Sequence, residues 1–102
     1  MKLVIVAALK EYSDQVAVIF RKANVRIFSA TDTIGFKDDS EQNLIDSWFA
    51  MREASFDSVF LFSFTEDQNA IKTLDLIREY NQEKPGDFPI RAFVLPVENA
   101  SY

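Results

Sequence analysis

Ser58-Val59-Phe60-Leu61-Phe62-Ser63-Phe64 runs directly into Thr65-Glu66-Asp67-Gln68, and then Ala70, Ile71, Leu74 and Ile77 follow. The first seven residues are β-branched and aromatic and predict a strand. Thr65 with Gln68 three positions on has the capping-box pattern, and the apolar residues after it recur at the 3–4 spacing of one helix face. The predicted helix ends before Pro85-Gly86. Beyond it, Pro89-Ile90-Arg91-Ala92-Phe93-Val94-Leu95-Pro96-Val97 predicts a further strand.

The other half of the chain has a similar layout. Leu3 to Leu9 is a continuous apolar run, the pattern of a strand buried on both faces. Val16, Ile19, Phe20 and Ala23 mark a helix that starts near Tyr12-Ser13, with Arg21 and Lys22 at its C-terminal end, where cations suit the helix dipole. Asn24 ends the pattern. Val25 to Lys37 is rich in Val, Ile, Thr and Phe without helical periodicity, and predicts a long strand ending at Gly35-Phe36. The order β-α-β-insert-β-α-β predicts an α+β, ferredoxin-like βαββαβ sandwich over residues 1–102, one domain, with an antiparallel sheet and two helices on one face.

The insert, residues 38–57, opens with Asp38, Asp39 and Glu41. Leu44, Ile45, Trp48, Phe49 and Met51 then follow at helical spacing, and Ser40, or Asp39 with Gln42, suits the start of a helix. A helix of roughly three turns over 40–53 is expected. Its stripe reads first as cover for the sheet or for a subunit seam. Exposed, the same residues would be a docking surface with Trp48 as anchor.

Composition removes several function classes. Eleven basic and sixteen acidic side chains give a net charge of −5, which argues against a broad nucleic-acid or anionic-membrane face. The chain has no Cys and no His, so disulfides, thiol chemistry and His-based catalysis are absent. Zinc and copper sites are not expected either. The apolar N-terminus is broken by Lys10-Glu11 without the small residues of a cleavage site, and no run approaches the ~18 residues that span a bilayer. A cytoplasmic location without membrane insertion is the expectation.

Gly86-Asp87, followed two residues later by Ile90-Arg91-Ala92-Phe93-Val94-Leu95-Pro96-Val97-Glu98, resembles the C-terminal signature of the nitrogen-regulatory PII signalling proteins. That family carries a Gly-Asp-Gly-Lys turn and then a strand ending in Phe-Val-Leu-Pro-Val-Glu. Gly35-Phe36 resembles the Gly-Phe that precedes the family's long T-loop, and the distance from there to the next strand is also similar. The Met1-Lys2 opening, Val16, Phe20 and the element order fit, so the resemblance covers the whole chain.

The resemblance implies a homotrimer, with effector sites for ATP or ADP in the clefts between subunits. It implies a regulator that grips a transporter, enzyme or other protein through the T-loop, rather than a catalyst. The motif matches mark Gly35, Gly86 and Asp87 for effector binding, with Lys37 and Arg91 as cations near the same cleft, and the apolar stripe of Leu44, Ile45, Trp48 and Phe49 is the expected partner-binding surface. The departures are as informative. Phe88-Pro89 stand where the family has Gly-Lys, acidic Asp38-Asp39 follow Lys37, the insert lacks Tyr, and the family's basic tail is not expected after Tyr102. Each weakens phosphate binding or modification, so weak or absent ATP binding and no cofactor are expected.

Lys37 and Arg91 are the cations available near such a cleft, and Arg91 interrupts an apolar strand. Asp38, Asp39 and Asp87 read first as turn or solvated charges, and only second as ligands for a cation or hydroxyl group. Two other functions stay open: a small cofactor-free enzyme on the same scaffold, and a ligand-free assembly trimer. No paired carboxylates at a recognisable spacing support the first.

Overall fold

The computed structural model describes residues 1–36, 55–86 and 88–101. Along the chain come β1 (Lys2–Leu9), a 3-10 turn (Lys10–Tyr12), α1 (Ser13–Lys22), β2 (Ser29–Phe36), β3 (Ser55–Thr65), α2 (Asp67–Glu83) and β4 (Arg91–Pro96). The strands form one antiparallel sheet in the order β2-β3-β1-β4. This is the ferredoxin-like arrangement expected from the sequence.

Strand alternation decides which residues make the core. Val4, Val6 and Ala8 of β1 stand opposite Ser63, Leu61 and Val59 of β3, and all six are buried. Val16, Ile19 and Phe20 of α1 and Ala70, Thr73 and Ile77 of α2 close over that face. Its two polar members are satisfied: the Ser63 hydroxyl donates to the Ile27 carbonyl at 2.5 Å, and the Thr73 hydroxyl to the Asn69 carbonyl at 2.8 Å. Burial of hydroxyls is tolerated on those terms.

Asn24 ends α1 as expected, through a Schellman motif. Its φ is +63°, its N–H donates to the Arg21 carbonyl at 3.1 Å, and the Val25 N–H donates to the Phe20 carbonyl at 2.8 Å. Asn is among the few non-glycine residues that take this left-handed conformation readily. The motif also brings Val25 beside Phe20 in the core.

Five local expectations are corrected. β2 begins at Ser29 rather than Val25, because residues 25–28 leave the Schellman turn as an irregular bridge. There Phe28 packs on Phe20 at 4.9 Å between ring centroids, and the Ile27 carbonyl is taken by Ser63. β3 begins at Ser55 rather than Ser58, since residues 55–57 pair with Phe36, Gly35 and Ile34 of β2. The insert is shorter by those three residues.

The Thr65 capping box does not form. Thr65 is held in the ladder opposite Lys2, the N-cap is Glu66 without a side-chain bond, and the Thr65 hydroxyl instead accepts from Asn69 at 3.2 Å. Ile71, expected on the apolar face of α2, is 60% exposed, because the helix turns Ala70, Thr73 and Ile77 toward the sheet. β4 starts at Arg91 rather than Pro89. Pro89 has no N–H, and the Asn81 amide takes both the N–H of Ile90 (3.0 Å) and its carbonyl (2.8 Å).

Candidate functional site: an uncovered sheet face and the cleft at its end

The same alternation that fills the core puts apolar side chains on the opposite face of the sheet. Leu3 stands between Phe64 and Leu95, Ile5 between Phe62 and Phe93, and Ala7 between Phe60 and Arg91. Phe64, Phe93 and Leu95 are 55%, 57% and 42% exposed. Both helices lie on the other side, and nothing among the described residues covers this one. A contiguous apolar face of this kind is the mark of an interaction surface.

At the end of this face, where β1 leaves the sheet and β4 enters, lies a cleft of about 380 Å³. Its floor is Ala7, Leu9 and Ser58, and Arg91 stands on one side beside Ala7. Its aromatic walls are Phe36, Phe56 and Phe88, with Pro89 at the rim. The Phe56 and Phe88 rings meet at 4.8 Å between centroids and 60°. Gly35 makes this possible. It pairs with Phe56 across the β2–β3 ladder, and a Cβ at position 35 would clash with the Phe56 ring. The missing side chain lets the ring come close to the strand at Gly35, as aromatic residues do at strand glycines. The other wall is held by the Asn81–Ile90 bonds, which fix the approach to β4 against α2 and so place Phe88 and Pro89.

The electrostatics are spare. Among the described residues, Arg91 is the only charged one lining the cleft, and it has no ion pair with any of the others. Leu9, Phe56 and Phe88 also border a neighbouring depression lined by Lys10, Glu11 and Asp57. Lys10 is committed there to Asp32, at 3.1 Å. No group of three acidic side chains suited to a metal occurs among the described residues.

Of the residues singled out in the sequence, Gly35 and Arg91 line the cleft together. Gly86 does not line it. A Cβ there would meet nothing within 4 Å and its φ is not positive, so nothing among the described residues requires glycine. Lys37 and Asp87 lie outside the described residues, as do Leu44, Ile45, Trp48 and Phe49 and the helix expected over 40–53. Phe56, Phe88, Leu9 and Ser58 belong to the cleft without having been singled out as site residues. For Phe56 a signal exists, a strand glycine facing an aromatic across the hairpin, but it needs the register to be read.

No family model and no curated protein matches the chain. Among solved structures, it is similar to a protein of Thermus thermophilus assigned as a candidate PII-like signalling protein. The TM-score is 0.63 and the sequence identity 14%, over 92% of this chain and 83% of that one. The chain shares that protein's fold. At that identity the PII-like likeness is one of architecture, and it agrees with the resemblance carried by Gly35-Phe36 and by the strand from Ile90 to Val97. In this fold the cleft sits beside the strand end that leads into the insert, next to Phe36. No helix among the described residues is long and apolar enough to cross a membrane.

Proposed function

We propose that this chain is a PII-like regulatory protein that works as a homotrimer, signals by contact with a protein target such as a transporter or regulator, and is not an enzyme. The observation that carries the reading is the uncovered apolar face of Leu3, Ile5, Phe62, Phe64, Phe93 and Leu95. Closed symmetry lets copies of one chain bury such a face against each other. The expected partner element is residues 40–53 with Trp48 as its anchor, on the strength of the apolar stripe in the sequence.

The cleft is the effector site of this reading, altered from a nucleotide site. A phosphate cradle needs backbone N–H groups and a cation. The sequence offers Phe88-Pro89 at the positions of the family's Gly-Lys. Losing that charge-assisted contact costs about 1.5–3 kcal/mol, so ATP binding is weak or absent. The described lining holds one hydroxyl, one guanidinium and otherwise apolar groups, which supplies no general base. The reading is tested by sedimentation of the full chain at micromolar concentration together with calorimetry against ATP. A trimer without tight, magnesium-dependent ATP binding supports it, and a stable monomer overturns it.

A further inference from the structure

We infer that the cleft between Arg91 and the Phe36–Phe56–Phe88 walls takes a small monocarboxylate with a planar, apolar body. The inference rests on the proposal that this cleft is an effector site, and it names the ligand chemistry. Three observations point the same way.

The first is the aromatic surface. Phe56 packs close against Gly35, meets Phe88 at 4.8 Å, and lines a cleft of about 380 Å³, which is near the small end of the range for ligand pockets. A flat apolar group stacks against such walls by offset or edge contacts.

The second is a single cation in place. Arg91 flanks the floor at Ala7, and no ion pair among the described residues holds its guanidinium. Its planar fork matches the two oxygens of one carboxylate. Ser58 also lines the cleft, but its hydroxyl is engaged with that of Thr33.

The third is what opposes a heavier anion. Glu11 and Asp57 border the depression that shares Leu9, Phe56 and Phe88 with the cleft, Lys10 there is paired with Asp32, and Pro89 contributes no N–H. The repulsion from this acidic rim grows with ligand charge, so a di- or tetra-anion is disfavoured more than a monoanion.

The test uses the full chain, with benzoate and phenylacetate as probes. Benzamide and phenylacetamide serve as neutral isosteres, and inorganic phosphate and ATP as polyanions. Calorimetry gives affinities, and saturation-transfer NMR gives the bound face. The carboxylates are expected to bind at low-millimolar concentration or tighter, at least roughly tenfold more tightly than their amides, with ring protons receiving the transferred saturation.

Arg91→Gln is expected to erase that roughly tenfold preference, weakening the carboxylates more than the amides, and Arg91→Lys to restore part of it. Failure of every carboxylate to bind overturns the inference. So does equal binding of acid and amide by the wild type, a comparison that needs no variant, or tighter binding of phosphate or ATP. The oligomeric reading is judged separately by sedimentation of the same samples. A trimer that ignores carboxylates removes only this inference, and a monomer that binds them removes only the trimer.

Discussion

The two faces of the sheet are built from the same strands by the same alternation, yet they meet different fates. On one face Val4, Val6, Val59 and Leu61 are at most 4% exposed beneath α1 and α2. On the other, Phe64, Phe93 and Leu95 are open, although Phe is the larger group and the more favourable to bury. Hydrophobicity alone therefore does not decide what is core in this chain. The connections decide, because both crossing helices lie on one side and cover only that side. The open face holds apolar surface that the described part of the chain cannot bury by itself, and this is the physical basis for assigning it to contacts between copies.

The largest expected effect separates the two faces. Phe20 is wholly buried against Phe28 and the sheet, and Phe20→Ala is expected to cost about 3–5 kcal/mol of unfolding free energy, read by denaturant titration at fixed protomer concentration. Phe93→Ala is expected to keep the far-UV circular dichroism spectrum of the wild type and to weaken association. If Phe93→Ala unfolds the chain as Phe20→Ala does, the distinction between the faces fails.

A smaller effect concerns the wall of the cleft. Asn81→Leu removes both bonds to Ile90 and leaves that backbone without its partner, at a cost of about 1–3 kcal/mol. Faster amide exchange at Ile90, with the central strands unchanged, is the signature to look for. Exchange at Ile90 as slow as in the wild type would mean that α2 does not hold this wall.

The two glycines sharpen the contrast between a position the fold demands and one it does not. Gly35→Val places a branched side chain into the Phe56 ring and is expected to cost about 1–3 kcal/mol and to close the cleft to ligands. Gly86→Ala meets open space and is expected to be neutral or to stabilise by about 0.4–1 kcal/mol. Thermal melts of the two variants side by side check this, and equal losses would contradict it.

Much of the fold was legible because periodicity and punctuation agreed. The two helices, the end of α1 at Asn24 and the end of β2 at Gly35-Phe36 all follow from spacing and residue type. What misled were residues whose backbone was already committed elsewhere. Thr65 has the side chain of a cap but sits in the ladder opposite Lys2, and Pro89-Ile90 have strand composition but are held by Asn81. Neither commitment is visible without knowing which elements touch. The cleft was half legible: Gly35 and Arg91 stood out for their type, whereas Phe56 read as an ordinary apolar residue and Phe88 only as a replacement in the turn, not as a wall of the cleft. Only register and the loop before β4 turn those two rings toward each other.

Sedimentation equilibrium of the full chain at micromolar concentration tests the assignment of the open face most directly. A species of three times the 11.7 kDa protomer mass is expected, and a Phe93→Asp variant that sediments as a monomer with an unchanged far-UV spectrum. A wild-type chain that remains at 11.7 kDa would contradict it.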